Sequence, residues 1–192
     1  MIAFTDKSDY ELVMAVVDGQ QHAFDELLQR YKNLVYSVVL RMVNDREDAN
    51  DQAQEIFIKL YKNLEKYRPD YKFSTWVIKI ATNHVIDFRR RTKNEVLVSH
   101  LEDTDHEQSE FAPSPEEAYI AKEQTRQLAE MLQELPEMYR IPIVLYHQQG
   151  LSYQEISEIV NEPMSKVKNR IFRARKLLKE NLTMKGEASY GV

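Results

Sequence analysis

Near the C-terminal end, two helix-forming stretches are separated by a turn so short that they must pack on each other. Gly150-Leu151-Ser152-Tyr153-Gln154-Glu155 sets a serine three residues ahead of a glutamate, a capping box that opens a helix running to about Val160. Asn161-Glu162-Pro163 turns the chain, and a second helix runs from about Ser165 to Asn181. Ile156, Ile159 and Val160 on the first helix and Val167, Ile171 and Ala174 on the second recur at helical spacing, so they can meet where the two cross. This is a helix-turn-helix between Leu151 and about Lys179. Its second helix carries Lys166, Lys168, Arg170, Arg173, Arg175, Lys176 and Lys179 and no acid before Glu180. Ser165, Lys166, Lys168, Asn169, Arg170 and Arg173 occupy the start and outer surface of that helix, the part that enters a DNA major groove in this geometry. There arginine and lysine can pair with guanine edges and asparagine with adenine. Arg175, Lys176 and Lys179 suit phosphates or the helix C-terminus. The alternative is a solvated basic helix on a bundle, or a protein-binding face.

The rest of the chain also reads as helix. Of 192 residues, 43% are hydrophobic, while glycine and proline number only 4 and 6, which favours an all-α protein. A first helix spans about Ser8 to Asp18, with Leu12, Val13, Val16 and Val17 on one side and Gly19 as its stop. A second runs from about Gln21 to Val43 and a third from about Arg46 to Leu64, where Ala49, Ala53, Ile56, Phe57 and Leu60 share a face. Arg68-Pro69-Asp70 forces a turn. The fourth helix covers about Ser74 to Arg91, its apolar face formed by Val77, Ile80, Ala81, Val85 and Phe88. After an acidic, aperiodic stretch, Ser114-Pro115-Glu116-Glu117 starts a fifth helix, expected to reach about Leu135. A sixth spans about Pro136 to Gln148, with Pro142 expected to bend or shorten it.

These elements predict two small helical domains: residues 1–92, and residues 114–182 containing the helix-turn-helix. Residues 93–113 join them as an acidic flexible linker, the alternative being an extension packed on a domain, and 183–192 form a frayed tail. The net charge of −5 argues against nucleic acid only as a total. The signs are segregated, with Arg89-Arg90-Arg91-Thr92-Lys93 and the last helix basic, and Asp45–Asp51 and Glu95–Glu117 acidic. The absence of cysteine excludes disulfides and thiolate metal sites. His22, His84, His100, His106 and His147 are dispersed without metal-ligand spacing, and no glycine loop could cradle a phosphate. No catalytic residue, metal site, cofactor or small-molecule substrate is therefore expected. With no apolar run of membrane-spanning length and no basic segment leading an apolar run at the N-terminus, a cytoplasmic, non-inserted protein is expected.

At this point the motifs resemble a known family. Leu135-Pro136-Glu137-Met138-Tyr139-Arg140, Gly150–Ile156 and Val167–Arg175 are similar to the C-terminal domain of the extracytoplasmic-function (ECF) branch of bacterial sigma-70 factors. Independently, Glu47-Asp48-Ala49-Asn50-Asp51-Gln52-Ala53-Gln54-Glu55-Ile56-Phe57 resembles the segment by which that family grips core RNA polymerase. Phe73-Ser74-Thr75-Trp76, Ile80-Ala81-Thr82-Asn83 and Asp87-Phe88-Arg89-Arg90 resemble its strand-melting, −10-reading helix. Two departures stand out: Ser165-Lys166 replaces the usual Gly-Thr or Gly-Ser at the start of the recognition helix, and Gln52 stands where an apolar residue is common.

The resemblance implies a promoter-specificity subunit of RNA polymerase that is not an enzyme. Its implied partners are the polymerase core, through the β′ clamp helices and the β subunit, promoter DNA and an anti-sigma factor. Asp48, Asp51 and Glu55 share one helix face, with Gln54 beside them; alone this reads as a solvated acidic face, and with the resemblance as the clamp-docking surface. Lys79, Asn83, Asp87 and Arg90 follow at near-helical steps opposite the apolar face. Asn83 is the candidate reader of an extruded −10 base, with Asp87 beside it and Arg89, Arg90 and Arg91 on phosphates. Trp76 and Phe73 fit either a DNA wedge or a core position. The helix-turn-helix residues named above would read the −35 element. The rival reading is an autonomous regulator whose N-terminal helices dimerise or sense, and it predicts a homodimer that binds a palindrome without polymerase.

Overall fold

The computed structural model describes residues 4–43, 45–96 and 126–189. They form α1 (Asp9–Val17), α2 (His22–Val43), α3 (Arg46–Asn63) with a 3-10 turn at Leu64–Lys66, α4 (Phe73–Val96), α5 (residues 126–134), α6 (Glu137–His147), α7 (Tyr153–Val160) and α8 (Met164–Ser189). There is no strand among the described residues. Residues 93–96 continue α4; the rest of the expected linker and the expected helix start at Ser114 lie outside the described residues.

Local chemistry sets several helix ends. Ser8 caps α1 and Ser152 caps α7, each in a reciprocal box with the glutamate three residues on, Glu11 and Glu155. At α3 the cap is Asp45, whose carboxylate accepts from the Asp48 N–H at 2.8 Å. Asn161 ends α7 in the left-handed region at φ 52°, a conformation asparagine tolerates better than most residues. Pro142 lies inside α6, which runs on past it to His147. The carbonyl that loses its helical partner belongs to Met138, a residue 47% exposed, so water can satisfy it. The last helix outruns its expected end at Asn181 and continues to Ser189.

Helices α2, α3 and α4 pack together, with α1 laid across α2. Leu27, Val35, Val38 and Met42 of α2, Ile56 and Leu60 of α3, and Val77, Ala81 and Val85 of α4 are almost fully buried among them. Trp76 and Phe73 are core residues, 6% and 4% exposed, in an aromatic cluster with Tyr31 and Tyr67. The expected N-terminal and C-terminal domains are in contact: α4 packs on α7 and α2 on α6. The apolar cluster of α1–α4 continues into Ile141, Leu145, Ile156 and Ile171, while Leu132, Leu135, Ile143, Val144 and Ala174 form a smaller one.

A polar seam closes this contact around the C-terminal carbonyls of α2, which have no intrahelical donors. Arg89 donates to the Met42 carbonyl at 2.8 Å and pairs with Glu137 of α6 at 2.9 Å. Arg140, only 4% exposed, donates to the same Met42 carbonyl at 3.1 Å and to the Gln133 side chain. The Gln133 amide in turn donates to the Arg41 carbonyl at 3.3 Å. Burial, and then the nearby Arg89, push the Arg140 guanidinium down to about 10, so it remains charged at neutral pH.

Candidate nucleic-acid and polymerase interfaces

The first candidate surface runs along α3. Glu47, Asp48, Asp51, Gln54 and Glu55 are all exposed, while Ala49, Gln52, Ala53 and Ile56 face the core. Asp48 and Asp51 have no cationic partner among the described residues. Partial desolvation, followed by repulsion from Asp45, Asp51 and Glu47, pushes the Asp48 carboxyl above its ordinary range. A cluster in that condition gains from a cation more than an isolated carboxylate would. Beside it, between α2 and α3, lies an open apolar groove of about 640 Å³ lined by Phe24, Leu28, Tyr36, Phe57, Ile58 and Tyr61, with Asn50 and Gln54 at its edge. The sequence reading missed this groove. The signal was present: Ile58 and Tyr61, 54% and 43% exposed, fall outside the buried stripe of α3.

The second surface is a cleft of about 340 Å³ on α4, walled by α3 and the Tyr71 loop. It brings together three residues expected to face DNA: Lys79, Asn83 and Asp87. Asn83 and Asp87 are exposed and Lys79 is half-buried. Three further lining residues were not anticipated: Lys59, Asn63 and Lys66 from α3 and its 3-10 turn. Tyr67 donates its hydroxyl to the Tyr71 carbonyl at 2.9 Å, fastening the Arg68-Pro69-Asp70 turn beside the cleft. Arg90 and Arg91 project into solvent, Arg90 reaching Asp87 at 4.0 Å. Arg89 is turned the other way, into the seam with Glu137 and the end of α2.

Under the cleft, the departure at Gln52 finds its reason. Gln52 and His84 are buried polar residues that satisfy each other, with His84 Nε2 and Gln52 Oε1 2.8 Å apart. His84 Nδ1 lies 2.5 Å from the Lys59 ammonium, and Glu55 is 3.6 Å from Nε2. Burial, then the neighbouring Lys59, hold the imidazole below the ordinary histidine range and hence neutral near pH 7.

The third surface is the helix-turn-helix of α7 and α8. Val167, Ile171 and Ala174 are fully buried, and Val167 and Ile171 share the apolar cluster of Ile156 and Ile159. The turn is held by Ser157, whose hydroxyl donates to the Glu162 carbonyl at 2.6 Å, and by Glu162, whose carboxylate takes Lys166 at 2.7 Å and Arg170 at 2.9 Å. Arg170 is consequently drawn in against the turn, with its side chain 15% exposed. Ser165, Lys166, Lys168, Asn169 and Arg173 are exposed. So is Phe172, at 69%, which the sequence reading left out. It sits one turn beyond Lys168 and Asn169 on the open side of α8, a placement readable from its distance to the Val167–Ile171–Ala174 stripe. Lys168 lies over the ring of Tyr153 and Arg175 over that of Tyr146, and the two tyrosines stack with centroids 4.8 Å apart.

Comparison with known proteins identifies the family. Residues 27–95 match sigma-70 region 2 and residues 125–178 match sigma-70 region 4. The chain is 34% identical to the RNA polymerase sigma-H factor of Pseudomonas aeruginosa over 93% of its own length and 95% of that protein's. It is 35% identical to the ECF RNA polymerase sigma factor SigW of Bacillus subtilis (88% and 94%) and 36% identical to the ECF RNA polymerase sigma-E factor of Escherichia coli (89% and 92%). Its fold resembles that of the sigma factor RpoE solved with the anti-sigma factor NepR from Bartonella quintana, at a TM-score of 0.68 and 20% identity, covering 83% of this chain and 96% of that one. CnrH, solved with the cytosolic domain of CnrY, gives a TM-score of 0.66 at 22% identity, covering 93% and 99%. Two family matches in order and three relatives matched almost end to end assign the chain to the ECF subgroup of the sigma-70 family, the RNA polymerase sigma factors that direct transcription initiation to promoters.

Proposed function

We propose that the three surfaces divide the work of this sigma factor among named residues. The unpaired carboxylates of Asp48 and Asp51, with Gln54 and Glu55, dock on the basic β′ clamp helices, and the β subunit is the second partner in the core. The supporting observation is the raised pKa of Asp48 within an acidic cluster that has no internal counter-charge. Electrostatic complementarity of this kind sets orientation and association rate. The adjoining apolar groove would add area that the acidic face lacks.

On α4, Asn83 reads an extruded −10 base in the cleft, with Lys79 and Asp87 beside it; Arg90 and Arg91 hold phosphates. Burial of Trp76 and Phe73 favours a rigid aromatic floor over a wedge. Arg89 instead serves the seam with α6 in the closed form and reaches phosphate only if that seam opens. On α8, Ser165, Lys166, Asn169 and Arg173 read the −35 element. Phe172 joins them as an apolar contact for a thymine methyl. Lys168 contacts phosphate from its place over Tyr153, and Arg170 positions Glu162 and the turn.

The chain acts by binding, in the cytoplasm, with no reaction of its own. The RpoE and CnrH structures, each solved with a partner, support an anti-sigma factor as a further partner here. Run-off transcription on genomic DNA with core polymerase, with and without this protein, tests the reading. Active core and folded protein that give no promoter-dependent transcript would defeat it.

A further inference from the structure

His84 is a buried titratable group joining the helix proposed to dock polymerase to the helix proposed to read the strand. A lysine ammonium can only donate. Facing Lys59 at 2.5 Å, His84 Nδ1 must therefore accept, which leaves the ring proton on Nε2 for donation to Gln52 Oε1 at 2.8 Å. The relay runs Lys59 to His84 to Gln52 and admits only the neutral ring. Lys59 is half-buried, and with Asn83, Lys79 and Asp87 it lines the α4 cleft. An accepting nitrogen beneath it holds the ammonium in one place while leaving its full charge and its other protons free for a ligand.

We propose that His84 is a positioning residue for strand capture, fixing the Lys59 ammonium on the inner wall of the α4 cleft, where it contacts the backbone phosphate of the nucleotide drawn in beside Asn83. This rests on the −10 reading proposed for the cleft. A lysine is a compact point charge, suited to phosphate and indifferent to base identity. The asparagine then supplies selectivity and the lysine affinity. Protonating the ring would place an N–H against the ammonium and release Lys59. The charged groups around the ring are Lys59 and Glu55 on α3 and Asp87 and Arg91 on α4. The paired Gln52 and His84 are thus one device: an apolar residue at position 52 would orphan the Nε2 proton and loosen the ring's hold on Lys59.

The test measures binding of a fluorescent single-stranded non-template oligonucleotide, taken from a promoter found by run-off transcription, to holoenzyme assembled with this chain. Lys59→Met should lose affinity on the order of tenfold, equally for every base at the captured position, and lower the salt slope by about one. His84→Leu should lose about as much, and the double variant no more than either alone, because both remove one contact. His84→Asn keeps an acceptor near Nδ1 and cannot protonate, so it should bind like wild type. Wild type should lose affinity as pH falls below the ordinary histidine range, and His84→Asn should not. Wild-type affinity for Lys59→Met overturns the proposal, as does a changed base preference, multiplied losses in the double variant, or an unchanged pH profile in His84→Asn. Should His84→Leu fail to fold, the Lys59→Met and His84→Asn arms still decide. Asn83→Ala separates the two levels: if it too leaves strand binding untouched, the −10 reading of the cleft falls with the proposal.

Discussion

Reversing one charge on α3 should make the free protein more stable and its complex weaker. Asp51 lies six residues into α3, past the first turn where the helix dipole acts most strongly. Its helical neighbours at i−4, i−3 and i+4 are Glu47, Asp48 and Glu55, all acidic. Each like-charge pair at this spacing costs about 0.2–0.5 kcal/mol, and a lysine at position 51 would turn all three into attractions of similar size. Summed over both changes, Asp51→Lys should stabilise the free chain by roughly 1–3 kcal/mol at low salt, with the lower figure favoured because all of these side chains are exposed. The Asp48 carboxyl should fall back toward the ordinary aspartate range, because one of the charges raising it has been inverted. In the complex the same lysine meets the basic clamp helices, and affinity for core polymerase should drop at least tenfold at low salt, with the gap narrowing as salt rises. Urea denaturation gives the first quantity, NMR titration of Asp48 the second and fluorescence anisotropy against core the third. An unchanged core affinity would refute the docking role, and a destabilised free chain would refute the account of the acidic cluster.

Other consequences are independent of that face. Ile156 is fully buried where α7 meets α8 and α4, so Ile156→Ala should cost about 2–4 kcal/mol in urea denaturation. Glu155 is held below the ordinary glutamate range first by the Ser152 N–H, which lies 2.8 Å from its carboxylate. A carboxyl depressed by folding adds stability that is present above its unfolded pKa and lost as pH falls through the folded one. Wild type should therefore lose about 0.5–1 kcal/mol more than Glu155→Gln between neutral and strongly acid pH, the size of an ordinary cap, with partial exposure holding it to the low end. The −10 and −35 elements are about 25 base pairs apart, or roughly 85 Å along the duplex, a span that a chain with α4 packed on α7 and α2 on α6 cannot cover. Fluorophores on introduced cysteines at the exposed positions Glu65 and Glu158, in a chain with no cysteine of its own, should show high energy transfer in the free protein and low transfer on promoter-bound holoenzyme. Unchanged transfer would contradict opening of the seam.

The helix boundaries were legible because capping is local. Ser152, with Glu155 three residues on, announces a helix within four residues of sequence, and the structure honours it; Ser8 and Asp45 cap α1 and α3 by the same local chemistry. The exposed stripes of α3 and α4 were legible for the same reason, since a helix of known period fixes which residues share a face. What escaped depends on partners far along the chain. Arg89 belongs to a basic run that reads as one phosphate-binding patch, yet the carbonyls it satisfies lie at Met42 and its carboxylate partner at Glu137. Arg170 looks like its basic neighbours, but Glu162, eight residues back across the turn, draws it in. Gln52 and His84 were each noticed singly, the one as a departure and the other as an unexceptional histidine. Only the crossing of α3 and α4 shows them to be a pair 32 residues apart. Pro142 is accommodated inside α6, where the carbonyl left without a donor belongs to the exposed Met138.

On the proposed division of work, α4 and α8 are separate readers of separate promoter elements. Transcription by holoenzyme from a promoter library randomised at both elements, sequenced for wild type, Asn83→Ala and Arg173→Ala, tests it most directly. Asn83→Ala should relax selection at one −10 position and leave the −35 profile unchanged. Arg173→Ala should relax one −35 position, typically by ~1–3 kcal/mol for a base contact, and leave the −10 profile unchanged. Uniform weakening of all promoters by either variant, or relaxation at the other element, would contradict the assignment.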